Sequence, residues 1–289
     1  MSEGQVVLGC GSTEILRMAA DGFLGPGRNV ILASPTCTLM SDFARRAGAD
    51  VVAVPLTGYF AHDLDRMLAR VNGGTGLVYI CNPNSPTGTL TGRDQIEKFL
   101  AALPAATHVL IDEAYHHYVG ARPDAASFID RPVDNPRVVV ARTFSTVYGL
   151  AGMRVGYAVA ATAAAQILAS RGLPANVSSL GALAAAAALD DQAHVESSVR
   201  RNIDERQEFY NQAIGRLLHV IDSQTNFVMV DAARPTVPIV DHFARNGILL
   251  PPPFAPFDNY VRVSLGAAEE MSEFWRVWDL MHLPVGHHH

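Results

Sequence analysis

Lysine is almost absent from this chain. Lys98 is the only one in 289 residues, and arginine supplies all the rest of the 22 basic side chains. A reaction that needs a lysine amine must use Lys98 or do without. In Asp94-Gln95-Ile96-Glu97-Lys98-Phe99-Leu100, apolar Ile96, Phe99 and Leu100 at helical spacing leave Lys98 on the polar face, away from any interior site. Cysteine is nearly as scarce. Cys10, Cys37 and Cys81 are an odd, scattered set without C-x-x-C spacing, which argues against a disulfide framework or structural zinc and predicts a reducing, cytoplasmic setting. Net positive charge is missing too: a formal charge of −6 and a pI near 6.0 leave no basic stripe for nucleic acid or an anionic membrane. Apolar runs such as 180–189 are too short to cross a bilayer. Met1-Ser2-Glu3-Gly4-Gln5 lacks the charged-then-apolar order of a signal peptide, and His287–His289 reads as a purification-tag remnant. A small molecule is the partner these absences leave.

What is present is a large apolar fraction, 49%, enough for a sizeable core. Short β-branched runs at 29–33, 51–54, 77–81, 108–112, 138–142 and 155–160 read as strands. Most are continuously apolar and therefore covered on both faces. Helical patterns at 12–23, 39–47, 64–70 and 95–102 alternate with the first of them, which predicts an α/β fold around a largely parallel sheet. Helical stretches follow at 161–170 and 178–189, then a long amphipathic pattern over 192–218. The remainder alternates on a smaller scale: strand 226–230, helix 237–245, strands 248–250 and 260–264, helix 269–281. The expected organisation is a large domain over 1–219 and a smaller C-terminal α/β domain over 220–286.

In a parallel sheet, ligands bind beyond the carboxyl ends of the strands, and the polar segments fall there. Gly11-Ser12-Thr13-Glu14 opens a helix whose N–H groups and positive dipole end suit a phosphate, although an ordinary capped helix is the plainer reading. Cys81-Asn82-Pro83-Asn84-Ser85-Pro86-Thr87-Gly88 is a rigid turn after a strand. Asp112-Glu113-Ala114-Tyr115 ends the strand at 108–112. Such an acid often serves only as a cap or ion-pair partner, and His116 and His117 beside it read as loop histidines rather than metal ligands. Thr143-Phe144-Ser145-Thr146 offers hydroxyls, and Arg154 offers a bidentate fork for phosphate. Tyr260-Val261-Arg262-Val263-Ser264-Leu265-Gly266 places an arginine on a late strand, where a surface arginine is the alternative.

Together these segments resemble the class I/II aminotransferases that use pyridoxal 5′-phosphate (PLP), most closely the histidinol-phosphate aminotransferases. The resemblance implies a fold type I transferase with a mostly parallel seven-stranded sheet. It implies a PLP phosphate held by Gly11, Ser12, Thr13, Thr143, Ser145 and Arg154. Asp112 would face the pyridine nitrogen, Tyr115 and the residue at Ser85 the phenolic oxygen, and Arg262 with nearby Asn226 the substrate's carboxylate. It further implies a homodimer acting in amino-acid metabolism on a small amino donor and acceptor.

The sequence departs from that family at four places. Thr146 stands at the position of the lysine that forms the Schiff base with PLP, and a hydroxyl cannot form an imine. Cys37, in Pro35-Thr36-Cys37, replaces the aromatic residue that stacks on the cofactor ring. Ser85 replaces a longer asparagine, with Asn84 or a water as the alternative donor. The family's further N-terminal stretch, which builds part of the small domain and reaches the partner's site, is expected to be missing. Three functions remain open on these residues: an aminotransferase-like enzyme blocked or altered at Thr146, a non-catalytic protein that binds PLP or its amino-acid adduct, and lysine-independent PLP chemistry (decarboxylation, cyclisation or dehydration) with Tyr115 or His117 as base.

Overall fold

The structure is a computed structural model that describes residues 1–120, 127–129 and 135–281. Residues 282–289, which include the expected end of the small domain and the three terminal histidines, lie outside the described residues.

Seven strands form the main sheet: β1 (Val6–Cys10), β2 (Asn29–Ser34), β3 (Asp50–Pro55), β4 (Thr75–Cys81), β5 (His108–Asp112), β6 (Val138–Thr143) and β7 (Val155–Ala160). Their order is β1-β7-β6-β5-β4-β2-β3. Strands β2 to β6 run parallel; β7 is antiparallel to β6, and β1 to β7. Helices cover both faces, as the continuous apolar strands require. On β4, Leu77, Tyr79 and Cys81 enter one core with α1 (Ser12–Phe23) and α2 (Thr38–Arg46), while Val78 and Ile80 enter the opposite core with Ile96, Phe99 and Leu100 of the helix that follows. Each fully buried Val, Ile or Leu contributes about 1.5–3 kcal/mol, which outweighs the modest strand propensity of any one residue.

The remaining helices are α3 (Leu64–Ala69), α4 (Arg93–Ala102), α5 (Thr162–Ala169), α6 (Ser179–Asp190), α7 (Gln192–Gly215), α8 (Val237–Arg245) and α9 (Ala268–Asp279). Lys98 is exposed on α4 while Ile96, Phe99 and Leu100 are buried, as the spacing requires. A second sheet of three antiparallel strands, in the order β10-β9-β8, is built from β8 (His219–Val220), β9 (Phe227–Asp231) and β10 (Tyr260–Ser264). Its core takes Phe243 from α8, Phe274, Trp275 and Trp278 from α9, and Phe209 and Ala213 from α7. Helix α7 reaches the other core region through Val195 near its start. With 24 residues it spans about 36 Å and ties the two sheets together.

Three elements differ from expectation. Strand β1 has no alternating signal, because its outward residues Val6 and Leu8 are apolar as well as its inward Val7. The segment 248–250, expected as a strand, is not one: no neighbouring strand pairs with it, and Leu249 is 87% exposed. The long helix ends at Gly215 rather than 218. Leu217, at φ 57° and 91% exposed, has left the helical register.

Candidate active site

The carboxyl ends of β4, β5 and β6 bring the chemistry together. Asp112 is the last residue of β5, the central strand, and is 5% exposed. Its Oδ2 accepts the Tyr79 hydroxyl at 2.9 Å and its Oδ1 accepts the Ala114 N–H at 3.1 Å. Burial pushes its pKa up to about 6, against the lowering effect of those two hydrogen bonds. No cation sits beside it among the described ion pairs. A buried carboxylate held this way is matched to a cationic group on a ligand, as a protonated pyridine nitrogen would supply.

Tyr79 is a site residue that the motifs did not reveal. The signal for it is a phenol hydroxyl within the apolar stretch 77–81 of the strand. Cys37 caps the start of α2 and lies close to the same group. Burial and then the Asp112 charge raise its thiol pKa, which leaves it protonated near neutrality.

The turn after β4 is rigid. Asn84 donates to Pro35 O at 3.1 Å and to Thr87 Oγ1 at 2.9 Å, and accepts from Thr36 Oγ1 at 2.7 Å. Both its amide hydrogens are committed, so Asn84 is not the alternative donor that the sequence allowed. It is the internal brace that fixes the Pro35–Cys37 turn against this one. Gly88, at φ 75°, abuts Ser223, and a Cβ there would collide with the Ser223 hydroxyl. Its carbonyl accepts the Gln224 N–H at 2.7 Å. Ser85 is half-buried at the tip of this turn.

The helix start at Gly11 has the geometry of an anion cradle. Gly11 has φ 74°, and α1 has no side-chain cap. A Cβ on Gly11 would collide with the Arg154 guanidinium, and one on Gly156 with the Ser12 backbone nitrogen. Both glycines therefore let Arg154 and strand β7 approach the first N–H groups of α1. Arg154 donates from Nη1 to Ser145 Oγ at 3.3 Å and to Ala151 O at 2.9 Å. Thr143 Oγ1 accepts the Ser145 N–H at 3.0 Å. Ser12 and Thr13 follow Gly11 at the open helix end. Helix N–H groups, two hydroxyls and a guanidinium facing one space fit a phosphate ester.

The Thr146 hydroxyl donates to Ala114 O, two residues after Asp112, at 2.7 Å. Tyr115 packs edge-on against Phe227 with ring centroids 5.1 Å apart, and Arg262 lies beside its hydroxyl. The Arg262 guanidinium lies 3.8 Å over the Phe227 ring, and its Nε is buried without a hydrogen-bond partner. An arginine with an unmet buried donor beside the site fits a carboxylate or phosphate ligand. Asn226, next to Phe227, lines a cavity shared with Thr146. The residues singled out from the sequence thus fall at one end of the main sheet, with Arg262 on β10 and Asn226 just before β9 of the small one.

A further network went unread in the sequence. Glu113, 2% exposed, pairs with Arg142 at 2.7 Å and accepts from the Ser127 hydroxyl and the Phe128 N–H, each at 2.7 Å. Arg142 also contacts His117 Nε2 at 3.2 Å. Burial, then the Arg142 charge, depresses His117 to about 4, so the ring is neutral at pH 7. This cluster fastens the turn after β5 to β6 and so sets the spacing between Asp112, Tyr115 and Thr146. Among the described residues no group of histidine, cysteine and carboxylate side chains could hold a metal, and no helix is long and apolar enough to cross a membrane.

Residues 1–277 match the family Aminotransferase class I and II. The chain is 39% identical to histidinol-phosphate aminotransferase 2 of Methylococcus capsulatus over 286 residues, covering 97% of this chain and 77% of that protein. It is 38% identical to histidinol-phosphate aminotransferase 2 of Pseudomonas aeruginosa, over 93% of this chain and 73% of the relative. The crystal structure of histidinol-phosphate aminotransferase from Sinorhizobium meliloti in complex with pyridoxal-5′-phosphate superposes with a TM-score of 0.86 at 30% identity, over 94% of this chain and 75% of that one.

Proposed function

Because the chain belongs to the class I and II aminotransferase family, whose cofactor is pyridoxal phosphate, we propose that it binds PLP without a covalent bond and acts on an amino acid or amino-phosphate in the manner of a histidinol-phosphate aminotransferase, with its turnover blocked or altered at Thr146. The observation that carries this reading is the pairing of two sites at one sheet end: a buried carboxylate at Asp112 with no cation beside it among the described residues, and a phosphate-cradle geometry at Gly11 and Arg154.

When bound, PLP supplies an electron-accepting ring that stabilises negative charge at the Cα of an amino compound. The protein's part follows from its side chains. Asp112 holds a proton at the ring nitrogen, with Tyr79 fixing the carboxylate. Ser12, Thr13, Thr143, Ser145 and Arg154 anchor the phosphate, and Gly11 makes room for it. Tyr115 and Ser85 face the phenolic oxygen. Cys37, in place of an aromatic ring, gives the cofactor a smaller and softer wall. Arg262, held over Phe227, orients the anionic group of the amino compound.

The Thr146 side chain can neither exchange with an amine nor carry the proton between carbon atoms. Thr146 is already engaged with Ala114 O, which favours a second reading as a PLP-binding protein without turnover. Absorbance titration with PLP followed by borohydride and mass spectrometry tests the proposal. The expected result is saturable binding with an unmodified protein mass. A phosphopyridoxyl adduct on Lys98, or no binding at all, overturns it.

A homodimer is part of the same proposal. Leu8 on β1, Met153, Leu173, and Leu180 and Leu183 on α6 are 43–75% exposed. They are neighbours: Asn176 donates to Leu8 O at 3.1 Å, and Gly181 packs against Met153 O. An apolar patch of this kind calls for a covering surface, and a second copy supplies one with matching chemistry. Sedimentation velocity at micromolar protein is expected to show a dimer that Leu180→Glu with Leu183→Glu converts to monomer. A wild-type monomer with and without PLP defeats this part of the reading.

A further inference from the structure

Among the described residues Arg262 is held by aromatic rings and by no carboxylate. Its guanidinium lies 3.8 Å over the Phe227 ring and 5.8 Å over the Phe254 ring, and no ion pair includes it. Ring faces attract a cation without using its N–H donors on an oxygen, so the fork is held in place and stays open to an anion. Phe227 is fixed in the core of the small sheet, 1% exposed. Phe254 has no such support. It is half-buried in the connection before β10, where its carbonyl accepts the Phe257 N–H at 2.6 Å, and the Phe257 carbonyl accepts the Tyr260 N–H at 3.1 Å.

What steadies that turn comes from the side of the main sheet. Phe60, in the connection after β3, packs edge-on against Phe257 and Tyr260 with ring centroids 5.6 and 6.0 Å apart. Its backbone is at φ 61°, a left-handed conformation that is costly for a bulky side chain and persists only where the surroundings impose it. Here they do. Thr57 N–H donates to Ala61 O at 2.9 Å, Ala61 N–H to Thr57 Oγ1 at 3.2 Å, and the hydroxyl of Thr89, in the turn after β4, to Phe60 O at 2.6 Å.

We propose that Phe254 and Phe60 are positioning residues for Arg262: Phe254 completes an aromatic bracket around the guanidinium, and Phe60 holds that bracket from across the two sheets. The inference rests on the proposed role of Arg262 as the group that orients the anionic end of the amino compound, and it adds what fixes the arginine itself. An arginine side chain loses much rotamer freedom when a ligand immobilises it, and a bracket that immobilises it beforehand removes that cost from binding. Because Phe60 follows β3 of the main sheet while Phe254 and Arg262 belong to the small one, the contact also ties the arginine's placement to the packing of one sheet against the other.

Calorimetric titration of the PLP-saturated chain with succinate, a carboxylate without an amine, tests the bracket. Phe254→Leu keeps the apolar bulk but removes the ring face, and is expected to weaken succinate binding by roughly fivefold or more, whereas Phe254→Tyr keeps the face and stays within about twofold of the parent. Phe60→Gly suits the left-handed backbone while deleting the ring. It should weaken succinate binding by about twofold or more without lowering the thermal midpoint, which separates positioning from folding. PLP affinity, read by absorbance, stays unchanged in all three, because none of them touches Asp112 or the Gly11 helix start. Succinate binding that Arg262→Gln abolishes and Phe254→Leu leaves intact overturns the inference and spares the functional reading. A Phe60→Gly chain with a lowered midpoint and the parent's succinate affinity removes Phe60 from the role. Succinate binding that is absent, or insensitive to Arg262→Gln, overturns the role of Arg262 and the inference with it. If PLP itself fails to bind, the functional reading falls, and the same titration of the cofactor-free chain decides the bracket.

Discussion

Thr146→Lys is expected to convert non-covalent PLP binding into covalent attachment and to raise the rate of the half-reaction with a suitable amino compound by roughly 100- to 10,000-fold, the range for a positioned acid–base group. Everything else that such a group needs is in place. Asp112 is buried and fixed by Tyr79, Arg154 faces the α1 N-terminus, and Arg262 holds an unmet donor beside Tyr115. The structural cost is small. Losing the hydroxyl's bond to Ala114 O removes about 1 kcal/mol, and the cavity next to position 146 can receive the longer chain. Borohydride and mass spectrometry read the attachment, and stopped-flow absorbance with a panel of amino acids and amino-phosphates reads the half-reaction. Attachment without any half-reaction would favour the binding-protein reading. Absence of attachment would mean that position 146 does not face the cofactor's aldehyde.

Much of this site was legible because its parts are local in sequence. The proposed phosphate cradle is written in consecutive residues at a helix start, Gly11 to Thr13. Asp112 closes an apolar run, and Thr143 to Arg154 keeps its spacing within one loop. What stayed hidden depends on residues far apart in the chain. Tyr79 reaches Asp112 only because β4 and β5 are neighbours in the sheet. The Glu113–Arg142 pair joins residues 29 positions apart, one just after β5 and the other on β6. Asn84 looked free as a ligand donor, yet its amide nitrogen donates to Pro35 O, distant in sequence, and to Thr87 Oγ1. The same limit explains the strands. β1 exists because β7 offers an edge in register, Gly9 opposite Gly156, whereas the apolar 248–250 segment has no such partner. Pattern alone does not report whether an edge is available.

Asp112→Asn is expected to act with opposite signs on the cofactor-free and cofactor-bound protein. Burial raises the Asp112 pKa in the fold from an ordinary 3.8 to about 6. Between these values the folded chain binds more protons than the unfolded one, so stability falls as pH rises through that window and levels off above about 6. The full loss is roughly 3 kcal/mol, from about 1.4 kcal/mol per pKa unit. Asparagine carries no charge and removes the slope. After allowing about 1 kcal/mol for one acceptor lost between Tyr79 Oη and the Ala114 N–H, the cofactor-free variant should be about 2 kcal/mol more stable than the parent at pH 7.5 and show no such change between pH 4 and pH 7. With PLP present the order reverses. A carboxylate that is costly alone becomes favourable beside a protonated ring nitrogen, and its loss should weaken PLP binding by roughly tenfold or more. Urea denaturation across the pH range, paired with absorbance titration of PLP, reads both. A cofactor-free variant less stable than the parent at pH 7.5 would show that Asp112 is held for the fold and not for a cationic ligand, and an unchanged PLP affinity would remove it from the ring-nitrogen role.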